Sequence, residues 1–234
     1  MAYKEYSLTG DRSLKIFKLK KSRHMKITLS NDGTVRVSIP SWVSYAQGYA
    51  FAQSNEQWIQ AKIAPSNLLQ EGNQIGKAHR LRFIQDDTIT KPSSRIEGSQ
   101  IQIRYPSSLT SDSPLVQAAA KKASIRALRK QAESLLPQRT KQIAEHYGLT
   151  YLDVSIKQLK GRWGSCDHKQ HIVFNLFLLQ LPWEYIDYVI KHELSHTKYL
   201  NHGEEFWRLL TSMEPRARQL RTTIKRYRPA VVGQ

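Results

Sequence analysis

Residues 192–196 read HELSH, and a third histidine follows at 202 within KHELSHTKYLNHGEEFW. The chain has eight histidines, and three of them fall within these eleven residues. The stretch from Pro182 onward spaces its apolar residues as a helix does, with Tyr185, Val189, Ile190, Leu194 and Tyr199 expected to pack inward. On that helix His192 and His196 share one face, one turn apart. The local fold is thereby restricted to a buried helix that ends soon after His196, followed by a reversal of the chain.

Two imidazoles so placed can hold one metal ion without backbone strain. Glu193 lies about 100° around the helix from His192, which suits a general base acting on water better than a third ligand. Neutral imidazole nitrogen suits Zn²⁺, which favours four-coordinate sites and in a catalytic site keeps one position open. His202 is the expected third ligand, because Leu200-Asn201 and Gly203 permit a tight turn through positive φ. Glu204 and Glu205 rank below it, and Phe206 and Trp207 are expected to form an apolar wall beneath the turn. His24, His79, His146, His168 and His171 lack this spacing, although His168 and His171 are candidates to approach the site.

A second informative stretch is KGRWGSCDHKQHIVFNLFLLQLP. Two strand-like segments, 151–159 and 171–176, flank RWGSCD, which reads as a glycine-rich turn. The glycine beside Trp163 permits close backbone approach. Cys166 has no second cysteine to join it, so no intrachain disulfide forms, and it reads as a small buried thiol.

The remainder divides by pattern. Residues 12–20 and 23–30 alternate apolar and polar, Asn31-Asp32-Gly33 signals a hairpin, and TVRVSIP resumes the alternation. A helical stretch follows over about 44–63, then strands at 79–85 and 99–106. SSLTSDSP (107–114) reads as a linker. From 115 to 147 the pattern is helical, with Pro137 expected to break or kink it and Gly148 to end it. Further helices are expected over 203–213 and 215–228. The fold class is α+β: a β-rich N-terminal region, 1–110, before a mostly helical domain with a small sheet, 111–234.

RWGSC, a strand reaching Asn175, and LPWEYIDYVIKHELSHTKYLNHGEEFW together resemble the YgjP-like metallopeptidase family, related to WLM and SprT-like zinc peptidases. RHMKITLSNDGTVRVSIPSWVS and QWIQAKI resemble the family's leading β-rich segment, whereas about 65–115 adds nothing to the likeness. The resemblance implies a zincin-type catalytic domain over 111–234, with Zn²⁺ as cofactor, His192, His196 and His202 as ligands and Glu193 as base. It implies hydrolysis of peptide bonds in a protein or peptide substrate. Expected oxyanion donors are Tyr199, Arg162 or Tyr227. Asp187 or Glu205 is expected to orient the histidines, and the strand near 171–176 to pair with an extended substrate.

Charge bears on partners. The net charge is +17, with basic runs at KKASIRALRK (121–130) and PRARQLRTTIKRYR (215–228). Such an excess attracts polyanions, so nucleic acid bound through the basic surface is an alternative partner, as for SprT-like proteases; solvated helix faces account for the same runs. A non-catalytic zinc module is a further alternative, against which the glutamate argues. The N-terminus shows no apolar signal-peptide core, and IVFNLFLLQLPW (172–183) is too short to span a bilayer. A soluble, cytoplasmic protein without membrane partners is expected.

Overall fold

The computed structural model describes residues 3–8, 12–20, 22–29, 34–63 and 68–227. The Asn31-Asp32-Gly33 turn lies outside them. The protein is α+β, and it divides into two units, Met1–Asn67 and Leu68–Gln234. Among the described residues no helix is long and apolar enough to cross a membrane.

The first unit is a four-stranded sheet of β1 (Tyr3–Leu8), β2 (Arg12–Leu19), β3 (Lys26–Leu29) and β4 (Val35–Pro40), in the order β1-β2-β4-β3. The alternation read from the sequence puts Leu14, Ile16, Val35, Val37 and Ile39 on one buried face. Ala52 and Ile59, from α1 (Tyr45–Ser54) and α2 (Glu56–Ile63), complete that core. The single helix expected over 44–63 is two, because Asn55 closes α1: its Nδ2 donates to the Phe51 carbonyl at 2.8 Å.

The second unit holds two sheets and the remaining helices. Strands β5 (Gln74–Ile75), β6 (His79–Gln85), β7 (Ser93–Glu97) and β8 (Gln100–Tyr105) form a sheet in the order β5-β6-β8-β7. Leu81, Ile101 and Ile103 from this sheet share a core with Val116, Ala120, Ala123, Ala127 and Leu128 of α3 (Pro114–Tyr147). The small alanines let the helix lie close to the sheet. The boundary expected at 110/111 therefore falls inside the second unit, since sheet and helix bury one another's apolar faces.

Pro137 does not break α3, which runs through it for 34 residues. The packing on both sides explains this: Ala132, Leu136, Thr140 and Ile143 are all buried. The Glu133 carbonyl, which a proline at 137 deprives of its donor, belongs to an exposed residue. Gly148 ends the helix in the left-handed conformation, φ 63°, as expected.

One buried polar group fastens the sheet to α3. Gln131 Oε1 accepts from the backbone N–H groups of Lys77 (2.8 Å) and Ala78 (3.0 Å), and its Nε2 donates to the Ile75 carbonyl at 3.0 Å. Gln131→Leu strands these groups and is expected to cost about 2–4 kcal/mol, read from urea unfolding midpoints; an unchanged midpoint contradicts the fastening role.

The second sheet comprises β9 (Asp153–Lys157), β10 (Gly164–Cys166) and β11 (His171–Asn175), ordered β10-β11-β9, with β11 antiparallel to β10 and parallel to β9. Part of the expected RWGSCD turn is thus the strand β10. Strand β11 is central, its backbone engaged on both sides, so the edge pairing expected at 171–176 has no edge there. An added strand has β10 or β9 to pair with. A 3-10 turn over Leu176–Gln180 leads into α4 (Trp183–His196), then α5 (Glu204–Met213), α6 (Ala217–Thr223) and a 3-10 turn at Ile224–Arg226.

Candidate metal centre

Helix α4 is amphipathic, and Tyr185, Val189, Ile190 and Leu194 are buried as expected. Tyr199 is not; it lies past the end of the helix and is 38% exposed. Two charged contacts hold α4 in place. Arg139 of α3 donates to both carboxylate oxygens of Asp187, at 2.8 and 2.6 Å, and Lys191 pairs with Glu214 at 2.9 Å. The first is a two-pronged guanidinium–carboxylate contact that sets orientation as well as distance. Asp187, a candidate to orient the histidines, is occupied by that arginine.

His192 and His196 occupy the last two turns of α4, with ring centroids 5.0 Å apart. The chain then reverses and returns His202, whose ring centroid lies 5.0 Å from His192 and 4.7 Å from His196. The reversal needs no left-handed residue. Gly203 is extended at φ −73°, ψ −172°, and among the described residues the only non-glycine with positive φ is Gln170. Hydrogen bonds from the Lys198 and Tyr199 N–H groups to the Ser195 carbonyl shape the start of the turn.

One ring nitrogen from each histidine lies within 4.8 Å of the others, and the Nε2 atoms of His192 and His202 are 3.1 Å apart. Neither Glu204 nor Glu205 joins this group, and Glu205 pairs with Arg208 at 2.7 Å. The His196 Nδ1–H donates to the Tyr199 carbonyl at 3.0 Å, leaving Nε2 as a lone-pair donor. A backbone carbonyl thus does what a carboxylate was expected to do. Burial, followed by the charges of neighbouring groups, holds the His192 imidazole down to about pH 3, and burial also lowers His196 and His202. Three neutral imidazoles converging on one point suit a borderline cation such as Zn²⁺. Phe206, fully buried, touches all three rings at centroid distances of 4.6–5.0 Å. It forms the expected apolar wall; Trp207 stands farther out, 6.4 Å from His202.

Glu193 is 5% exposed. Burial pushes its carboxyl up to about 8, against the opposing pull of Arg162. What lets a carboxyl group sit there is Gly164 of β10: a Cβ at that position would stand 2.7 Å from Glu193 Oε1 and 2.8 Å from its Cγ. The glycine beside Trp163 permits close approach, as its sequence suggested, and the group that approaches is Glu193.

The loop before β10 is fixed by Asn175, which is fully buried. Its Nδ2 donates to the carbonyls of Leu159 (2.9 Å) and Arg162 (2.8 Å), and its Oδ1 accepts from Phe177 N–H at 3.3 Å. Asn175 was legible as the end of a strand but not as this clasp; the signal was a polar residue closing an apolar run. Cys166 is half-buried, and burial together with the Glu193 and Asp167 charges raises its thiol to about 11, so it is a poor nucleophile. His171 pairs with Asp153 rather than approaching the histidine cluster. The Tyr227 ring lies against that of Tyr185, 5.3 Å away and tilted by 54°.

The YgjP-like, metallopeptidase domain model matches residues 23–227. Among solved structures, the chain is similar to the metallopeptidase zymogen of Pyrococcus abyssi abylysin, with 24% identity and a TM-score of 0.37, over 42% of this chain and 100% of that one. It is also similar to the metallopeptidase zymogen of Methanocaldococcus jannaschii jannalysin, with 21% identity and a TM-score of 0.36, over 39% of this chain and 94% of that one. No curated protein matches.

Proposed function

Because the chain belongs to the YgjP-like metallopeptidase family, we propose that it is a zinc-dependent peptidase that uses Glu193 as general base. The observation that carries this reading is the convergence of His192, His196 and His202 nitrogens within 4.8 Å beside a buried carboxyl group one residue from His192. In the proposal the three imidazoles hold Zn²⁺. The ion supplies Lewis acidity, polarising a carbonyl and bringing the pKa of water near neutrality.

The chain's own residues do the rest. Glu193 takes a proton from the attacking water at a carboxylate oxygen and later delivers it to the leaving amine nitrogen. Gly164 leaves room for that carboxylate, and Asn175 fixes the loop that precedes it. Arg162 limits how far burial raises the proton affinity of Glu193. Phe206 keeps water from the inner side of the imidazoles. The free backbone edge of β10 is available to align an extended substrate.

Two outcomes test this. Treatment with a strong chelator should abolish hydrolysis of a denatured protein such as casein, and one equivalent of Zn²⁺ should restore it. Hydrolysis that survives complete removal of metal ends the reading. Gly164→Ala should lower kcat about 100-fold, the scale set by displacing a reacting group by about 1 Å. Zinc content should be unchanged, since the atoms nearest an added Cβ at Gly164 belong to Glu193 and not to a histidine. Full activity in this variant would show that Glu193 can move aside without consequence.

A further inference from the structure

A second chemical feature borders the histidine cluster. Arg218 and Arg221 of α6 both place the guanidinium carbon Cζ over the Trp207 ring, 4.7 and 5.1 Å from its centroid. Trp207 follows Phe206 and lies 6.4 Å from the His202 ring. His202, Gly203, Glu204, Trp207, Arg208, Thr211 and Arg218 line a groove of about 580 Å³.

The arginines in and beside this groove differ in their partners. Arg208 is matched by Glu205, and Arg216, the neighbouring arginine of the same run, by Glu184 and Glu214. Arg218 and Arg221 enter no ion pair among the described residues, and both are exposed. Arg218 lines the groove together with Glu204, and Arg221 stands beside it, linked through the shared Trp207 ring. Two arginines without ion-pair partners among the described residues, both in cation–π contact with Trp207, form a preorganised receptor: a guanidinium held against a ring gives up less freedom when it binds, and its fork matches a carboxylate.

We propose that Trp207, Arg218 and Arg221 form a substrate subsite for a carboxylate of the peptide, either an acidic side chain near the scissile bond or the C-terminal carboxylate. The inference rests on the peptidase reading for the identity of the ligand but not for the existence of the receptor. The arginines act on binding and alignment, and no proton passes through them.

The test is a binding measurement on zinc-loaded Glu193→Gln protein, which separates recognition from turnover. Three acetylated alanine-rich hexapeptides serve as probes: one with an internal Glu and a C-terminal amide, one with Gln in its place and a free C-terminal carboxylate, and one with Gln and an amide. At least one of the first two should bind about tenfold or more tightly than the third, and which one does identifies the carboxylate. In the Arg218→Gln/Arg221→Gln background this ratio should collapse to about twofold or less. Arg218→Lys/Arg221→Lys, which keeps the charges but not the planar guanidinium forks, should retain only part of it.

Equal binding of all three peptides, or a ratio unchanged by the arginine substitutions, overturns the subsite. Arginine-dependent binding of a peptide that the wild-type zinc protein never cleaves supports the subsite and removes the peptidase reading. Circular dichroism and zinc content confirm that the variants are folded and loaded; both arginines are on the surface of α6, away from the buried core.

Discussion

Glu193→Gln should lower peptide hydrolysis by about 10²–10⁴-fold while leaving zinc at one equivalent. The substitution preserves shape and removes only the capacity to accept a proton. It places a neutral amide where the native chain buries an acid, so the cost of desolvating a charge is absent and the folded state is not weakened on that account. The measurement is kcat on a denatured protein substrate, with metal analysis and a thermal midpoint on the same preparation. Retention of more than about a tenth of the activity would assign the proton transfer to another group.

His202→Ala should have an effect of similar size by a different route. Removing one of three imidazoles should weaken zinc binding by more than about 100-fold, beyond the loss seen when an outer-shell partner is removed. Activity should fall with occupancy and return only partly at high zinc. Competition with a chromophoric chelator reads the affinity directly. The fold should survive, because His202 is exposed and lies in the turn between α4 and α5. Stoichiometric zinc at unchanged affinity would instead promote Glu204, the groove carboxylate beside it, to third ligand.

The short-range parts of this site were legible in the sequence, and the long-range parts were not. His192 and His196 at helical spacing, the buried side of α4 and the proximity of His202 all follow from local periodicity. The means of reversal did not: positive φ at Asn201 or Gly203 was expected, yet the turn closes with ordinary backbone angles and carbonyl bonds. Asp187 looked available to orient a histidine because its partner, Arg139, is 48 residues away. The contact of Gly164 with Glu193 likewise joins distant residues, and only the glycine's ease of approach could be read. Strand β10 reads as a turn in the sequence because three residues, one of them glycine, carry no alternation to detect. Pro137 misled for the opposite reason. Its local rule holds for an isolated helix, and here the tertiary core on both sides overrides it.

The length of α3 has a consequence for what the smallest working enzyme can be. Its buried side packs against β5, β7 and β8, and the same helix also meets β9 and α4. A fragment starting at Ser111 would keep His192, His196 and His202, yet it would leave Val116, Ala120, Ala123 and Ala127 bare to water. Such a truncation should aggregate rather than hydrolyse, so residues 68–106 are a structural requirement of the reaction although none of them touches the ligand cluster.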